Sequence, residues 1–132
     1  MVQVELTSED QEHPIESALI IGSGDGWRAQ HSGKQTIRLI FDKPQKINHI
    51  QVLFEEKDEE RTQEFLLSYS TDNGVTHHEI VRQQYNFSPP HNIRELEDYI
   101  VELDDVTMLE LIIIPNISGG ENRASLAQLR LA

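Results

Sequence analysis

Thr62-Gln-Glu-Phe-Leu-Leu-Ser-Tyr-Ser70, Thr71-Asp-Asn-Gly74 and Val75-Thr-His-His-Glu-Ile-Val-Arg82 form one unbroken stretch, two runs of alternating apolar and polar residues around Asn-Gly. Asn and Gly both tolerate positive φ, which a tight primed turn between antiparallel strands needs. The stretch therefore reads as a β-hairpin. With Asn73 and Gly74 as the two turn residues, Leu67 faces Ile80, Leu66 faces Val81 and Tyr69 faces His78. The same register sets Phe65 beside Arg82, Gln63 beside Gln84 and Arg61 beside Asn86. Arg61, Gln63, Arg82, Gln84 and Asn86 are then expected to gather at the open end of the hairpin. They carry hydrogen-bonding groups that read hydroxyls and carbonyls. A solvated sheet edge is the alternative reading of the same residues.

Working outward, Gln35 to Asp42 alternates with Ile37, Leu39 and Phe41 on one face, and Asp42-Lys-Pro-Gln45 is expected to stop it, because proline cannot donate to a ladder. Lys46 to Phe54 reads as the next strand. Tyr85-Asn-Phe-Ser-Pro-Pro-His-Asn92 reads as a loop, and Ile93 to Asp98 as one possible helical turn. Tyr99 to Leu103 and Met108 to Ile114 read as strands, the latter apolar enough to be central and covered on both faces. A polar loop, Asn116 to Arg123, leads to a closing strand, Ala124 to Leu131. No segment holds a helical period over three turns. About eight short strands at this spacing predict an antiparallel β-sandwich or barrel. A length of 132 residues suits a single domain over the whole chain, 1–132.

Composition narrows the function. The formal net charge is -12 and the eleven basic residues are scattered, so a nucleic-acid or anionic-membrane partner is not expected, since such binding neutralises phosphates with Lys and Arg. The longest apolar run, Leu111 to Ile114, is too short to span a bilayer. Met1 to Glu9 has neither a basic nor a long apolar region, so no secretory signal is expected. Cysteine is absent, which excludes disulfides and thiolate chemistry and fits a reducing, cytoplasmic compartment.

Gly22-Ser-Gly-Asp-Gly-Trp-Arg28 is the one glycine-rich loop. It admits three readings: a phosphate cradle lacking the Lys-Ser/Thr of a P-loop, a calcium loop with Asp25 as its carboxylate, or a tight turn before a strand. Trp27 could stack on a sugar ring or pack in the core, and Arg28 beside it points the opposite way in an extended segment. The six histidines show no pair at helical or strand spacing for a shared metal. No Gly-x-Ser-x-Gly elbow occurs, and the acidic run Glu55 to Glu60 reads as a solvated face. Asn86-Phe-Ser88 and Asn116-Ile-Ser118 match the glycosylation sequon, but without a secretory route they carry no meaning. No catalytic set, metal or cofactor is expected.

Gly26-Trp-Arg-Ala29, Gln35 to Phe41 followed by Asp-Lys-Pro, Ile47 to Phe54, Phe65 to Gly74 and Ala124 to Leu131 together resemble, in order and spacing, the discoidin or coagulation factor 5/8 type C superfamily of galactose-binding-like domains. The resemblance covers roughly residues 15 to 132. It implies an eight-stranded antiparallel jelly roll with ligand loops at one end, a non-catalytic binding module for glycans in many members. Members often hold a structural calcium near the glycine-rich loop, partly through an acidic residue of the closing strand; the matching position here is Gln128. The resulting expectation is a carbohydrate-like ligand bound at the loop end by Arg28, Arg61, Gln63, Arg82, Gln84, Asn86 and Arg123. The alternative is a protein-interaction module, or a subunit docking by its acidic face.

Overall fold

The structure, a computed structural model, describes residues 2–132. Its elements are β1 (Val2–Leu6), α1 (Glu16–Leu19), β2 (Trp27–Arg28), β3 (Gln35–Glu55), β4 (Arg61–Ser70), β5 (His78–Phe87), β6 (Arg94–Ile114), β7 (Ser125–Leu126) and β8 (Gln128–Leu131). The strands run in the order β1-β3-β6-β4-β5, with β8 also on β3 and a separate β2-β7 pair; every pairing is antiparallel. This is an antiparallel β-sandwich, as the alternation predicts, in the jelly-roll form that the family resemblance implies.

Two strands of 21 residues, β3 and β6, are the spine. The first half of β3 pairs with the last half of β6, flanked by β1 on one side and by β4 and β5 on the other. The second half of β3 pairs with the first half of β6 and takes β8 on its free side. The register shifts between Ile40 and His49, so both strands bend there and pass from one layer to the other. Asp42-Lys-Pro-Gln45 therefore marks a bend inside one strand, not the break expected between two. Pro44 is tolerated because the ladder is already interrupted at that point. Likewise, the stretch from Ile93 to Asp98 is not a helical turn: Arg94 to Asp98 open β6 and pair with Gln51 to Glu55.

Inward side chains from the two layers meet in one core that includes Trp27, Ile37, Ile50, Phe54, Phe65, Leu67, Leu111 and Ile113. The rings of Phe54 and Phe65, one from each layer, lie 5.1 Å apart. At the side where β5 and the first half of β6 both present unpaired edges, the contact is polar. Gln63 Nε2 donates to Glu95 Oε1 at 3.4 Å, Tyr99 donates to Gln83 Oε1 at 2.7 Å, and Gln83 donates to Glu97. Glu95 is only 2% exposed, and its Oε2 has no hydrogen-bond partner among the described residues. Burial first, and then the neighbouring Glu97, push its carboxyl up to about 8, against the opposing hydrogen bond from Gln63.

A carboxyl held above its ordinary value of 4.5 binds a proton in the folded state that the unfolded chain releases, so its contribution is complete at low pH and is lost as pH rises toward 8. Unfolding free energy, followed by urea titration of Trp27 fluorescence, is expected to drop by on the order of a few kcal/mol between about pH 5 and pH 9. Glu95→Gln is expected to flatten that drop. A flat wild-type profile over the same range would contradict the buried, protonated carboxyl.

Candidate functional site

The hairpin carries an extra residue. Tyr69 faces His78 and Ser68 faces Glu79, as the Asn73-Gly74 turn dictates, and both turn residues have positive φ, 58° and 89°. A bulge then leaves Ile80 unpaired, so Leu67 faces Val81, Leu66 faces Arg82, Glu64 faces Gln84, Gln63 faces Tyr85 and Arg61 faces Phe87. A one-residue slip moves every later side chain of one strand to the other face. The expected cluster is therefore divided. Arg61 and Gln63 point into the sandwich, while Arg82, Gln84 and Asn86 point out from its opposite face.

Arg61 is 3% exposed. Its Nε donates to Glu56 Oε1 at 2.8 Å, its Nη1 to the Pro115 carbonyl at 2.8 Å and to Gln63 Oε1 at 3.4 Å, and its guanidinium lies 5.1 Å from the centre of the Phe87 ring. Gln63 is buried as well. Neither side chain can reach a ligand, because the core and its own partners enclose it. Burial works to raise the Glu56 carboxyl, but the hydrogen bond and charge of Arg61, with the N–H groups of Asp58 and Glu59, outweigh it and hold it below the usual range. Arg61 thus fixes, through Glu56, the loop between β3 and β4.

The outward residues are engaged with their neighbours. Arg82 lies 3.6 Å from both Glu64 and Glu79, Gln84 donates to Glu64 at 3.3 Å, and Asn86 accepts from Thr62 and donates to Ser88. Of the three, Arg82 lines a hollow of about 140 Å³ that it shares with Lys34, Glu64, Leu66, Ile112 and Ile114. Arg123 lies 3.5 Å from Asp10.

Arg28 stands elsewhere. It lines a groove of about 540 Å³ formed by the glycine-rich loop, the β3–β4 loop and the β7–β8 segment. Trp27 is 1% exposed and donates Nε1–H to the Ser8 carbonyl at 3.1 Å, so alternation turns Arg28 outward. Arg28 Nε and His13 Nδ1 are enclosed and have no hydrogen-bond partner among the described residues, although His13 Nδ1 lies 3.8 Å from Asp10. Gly26, at φ 112°, carries the loop against the groove's floor: a Cβ there would stand 2.6 Å from the Leu126 carbonyl oxygen and 2.8 Å from the Ala127 Cα. Gly26 thus serves close approach, as does Gly24 against Ser17, while Gly22 has open space around it.

His13, Asp25, Glu55, Lys57, Asp58, Ser125 and Gln128 also line the groove. Only Asp25 and Gln128 were legible as candidates, through the glycine-rich loop and the family pattern; Glu55 to Asp58 sit in a run whose composition signals solvation. The donor set does not fit a calcium ion. Gln128 supplies an amide where the family pattern has a carboxylate, and among the described residues no three His, Asp or Glu side chains are placed to hold one metal ion.

The F5/8 type C domain model matches residues 3–111. The chain belongs to that family. No curated protein matches it in sequence. Among solved structures, the CBM32 of AlyQ in complex with 4,5-unsaturated mannuronic acid superimposes with a TM-score of 0.69 at 17% identity, covering 98% of this chain and 93% of that one. The family 32 CBM from C. perfringens NanJ in complex with galactose gives 0.66 at 15%, covering 98% and 92%. A Ruminococcus gnavus GH29 fucosidase in complex with fucose gives 0.71 at 10%, this chain spanning 25% of that one.

Removing one partner of a buried ion pair strands the other charge, so Arg61→Met is expected to destabilise this F5/8 type C domain by about 3–5 kcal/mol in urea unfolding. Adding Glu56→Leu is expected to recover much of that loss. Arg82→Ala, whose side chain is 52% exposed, is expected to cost under about 1 kcal/mol. Equal costs for Arg61 and Arg82 would refute the division of the cluster.

Proposed function

We propose that this domain is a non-catalytic carbohydrate-binding module whose ligand sits in the groove beside Arg28. The observation that carries the proposal is the Arg28 guanidinium, which lines the groove and forms no ion pair among the described residues. Arg28 offers fixed donors, and carboxylates and the Gln128 amide offer acceptors; sugar hydroxyls, which both donate and accept, suit that mixture. Family membership supports the reading, as do fold neighbours whose structures hold galactose, fucose and an unsaturated mannuronic acid.

A protein partner is the second reading. Ile20 and Ile21 favour it, an apolar pair directly before the glycine-rich loop, with Ile21 81% exposed. Two adjacent exposed apolar side chains next to a groove-forming loop offer a surface for a protein contact.

Titration calorimetry against galactose, fucose and their oligosaccharides is expected to give saturable binding. Arg28→Ala is expected to weaken it at least about tenfold, the loss of one charge-assisted hydrogen bond. Arg82→Ala, on the opposite face of its sheet, is expected to leave it unchanged. Absence of binding to any sugar, with co-elution of a protein partner that Ile21→Ser abolishes, would favour the second reading.

A further inference from the structure

The Asn73-Gly74 turn carries a chemistry that sugar binding does not use. Asparagine before glycine is prone to cyclise: the Gly74 main-chain nitrogen gives up its proton and bonds to the Asn73 side-chain carbonyl carbon, ammonia leaves, and water opens the cyclic imide to aspartate or isoaspartate. Glycine favours the attack because it has no Cβ to obstruct it. No other asparagine of this chain precedes a glycine. We infer that Asn73 is a site of spontaneous deamidation gated by the Ser70 hydroxyl: the reaction proceeds only from molecules in which the hairpin tip has opened and released the Gly74 N–H.

The two reacting groups are placed differently. The Asn73 side chain is exposed and forms no hydrogen bond among the described residues, so its carbonyl carbon is open to attack. The nucleophile is held. Gly74 N–H donates to Ser70 Oγ at 2.8 Å, and Ser70 is fully buried. Ser70 Oγ donates in turn to Asp72 Oδ1 at 2.7 Å, which also accepts from the Thr76 N–H at 2.8 Å. On the β6 side, Asn73 N–H donates to Thr107 Oγ1 at 2.9 Å, and Thr107 donates to the Ser70 carbonyl at 3.1 Å. Met108 covers Gly74: a Cβ there would stand 3.0 Å from the Met108 Cε. The hydrogen bonds from Ser70 and Thr76 hold the Asp72 carboxyl down at about 2, so it is ionised wherever the reaction runs, and its charge disfavours an anionic nitrogen nearby. Either product adds a carboxylate beside Asp72, and isoaspartate also reroutes the main chain through its Cβ.

The test incubates the intact domain and a synthetic peptide of residues 68–78 at mildly alkaline pH and follows aspartate and isoaspartate at position 73 by chromatography and mass spectrometry. Conversion is expected to be at least about tenfold slower in the domain than in the peptide. Hydrogen exchange of the Gly74 amide in the domain is expected to show protection that matches this slowing within about threefold, since one opening frees both the proton and the nitrogen. Ser70→Ala is expected to speed conversion about fivefold to tenfold, the factor carried by one hydrogen bond. Ile50→Val, a small truncation of the core in the other layer, is expected to leave the rate unchanged. Equal rates in domain and peptide, no gain with Ser70→Ala, or equal acceleration by Ile50→Val overturns the inference. Gly74 protection that fails to match the slowing also overturns it, and that comparison needs only the wild-type domain.

Discussion

The buried guanidinium of Arg61 joins the β3–β4 loop, which no strand ladder holds, to the ends of β5 and β6, which the ladders set beside β4. It ties the β3–β4 loop through Glu56, the end of β6 through the Pro115 carbonyl and the end of β5 through the Phe87 ring. A charge taken out of water is tolerated only when opposite charge and hydrogen bonds replace hydration, and each partner here comes from a different element. Satisfying Arg61 therefore requires all of these elements to be in place together. The loop that Glu56 anchors continues into Lys57 and Asp58, two residues of the groove wall. From Arg61 the chain of hydrogen bonds continues inward through Gln63 to Glu95, so the rim of the groove and the polar side of the sandwich share one network.

The hairpin shows how far local chemistry reaches. Asn73 and Gly74 adopt the positive φ values their types favour, and the first pairs beyond the turn follow from that turn alone. The bulge at Ile80 has no such local signal. It lets Arg61 lie against Phe87 and Gln63 against Tyr85, which keeps the inner face of β5 built from Val81, Gln83, Tyr85 and Phe87. Since a strand alternates with period two, one unpaired residue exchanged the faces of Arg82, Gln84 and Asn86. A polar cluster read from sequence became a buried anchor on one face and a set of surface ion pairs on the other.

The groove was legible in part. Arg28 could be singled out because Trp27 beside it is the natural core residue and alternation turns its neighbour outward. Glu55 to Asp58 could not, since an acidic run has the same composition whether it faces open solvent or walls a concavity. The buried carboxyl of Glu95 was equally hidden: it lies in the stretch read as a helical turn, and only the opposite layer places Gln63 and Gln83 against Glu95 and Glu97.

The sequence by itself determined that this chain is an all-β protein, because strand periodicity and turn chemistry act over a few residues and are written in residue type; the order and spacing of its motifs pointed to the jelly roll. It also determined that Trp27 and Arg28 would part to opposite sides. Only the tertiary structure decided that β3 and β6 each run through both layers, that Arg61 serves the fold, and that Arg28 meets the acidic loop across a groove. Those outcomes depend on the pairing of residues distant in sequence and on which charges find partners once water is excluded, quantities that no local pattern of residues contains.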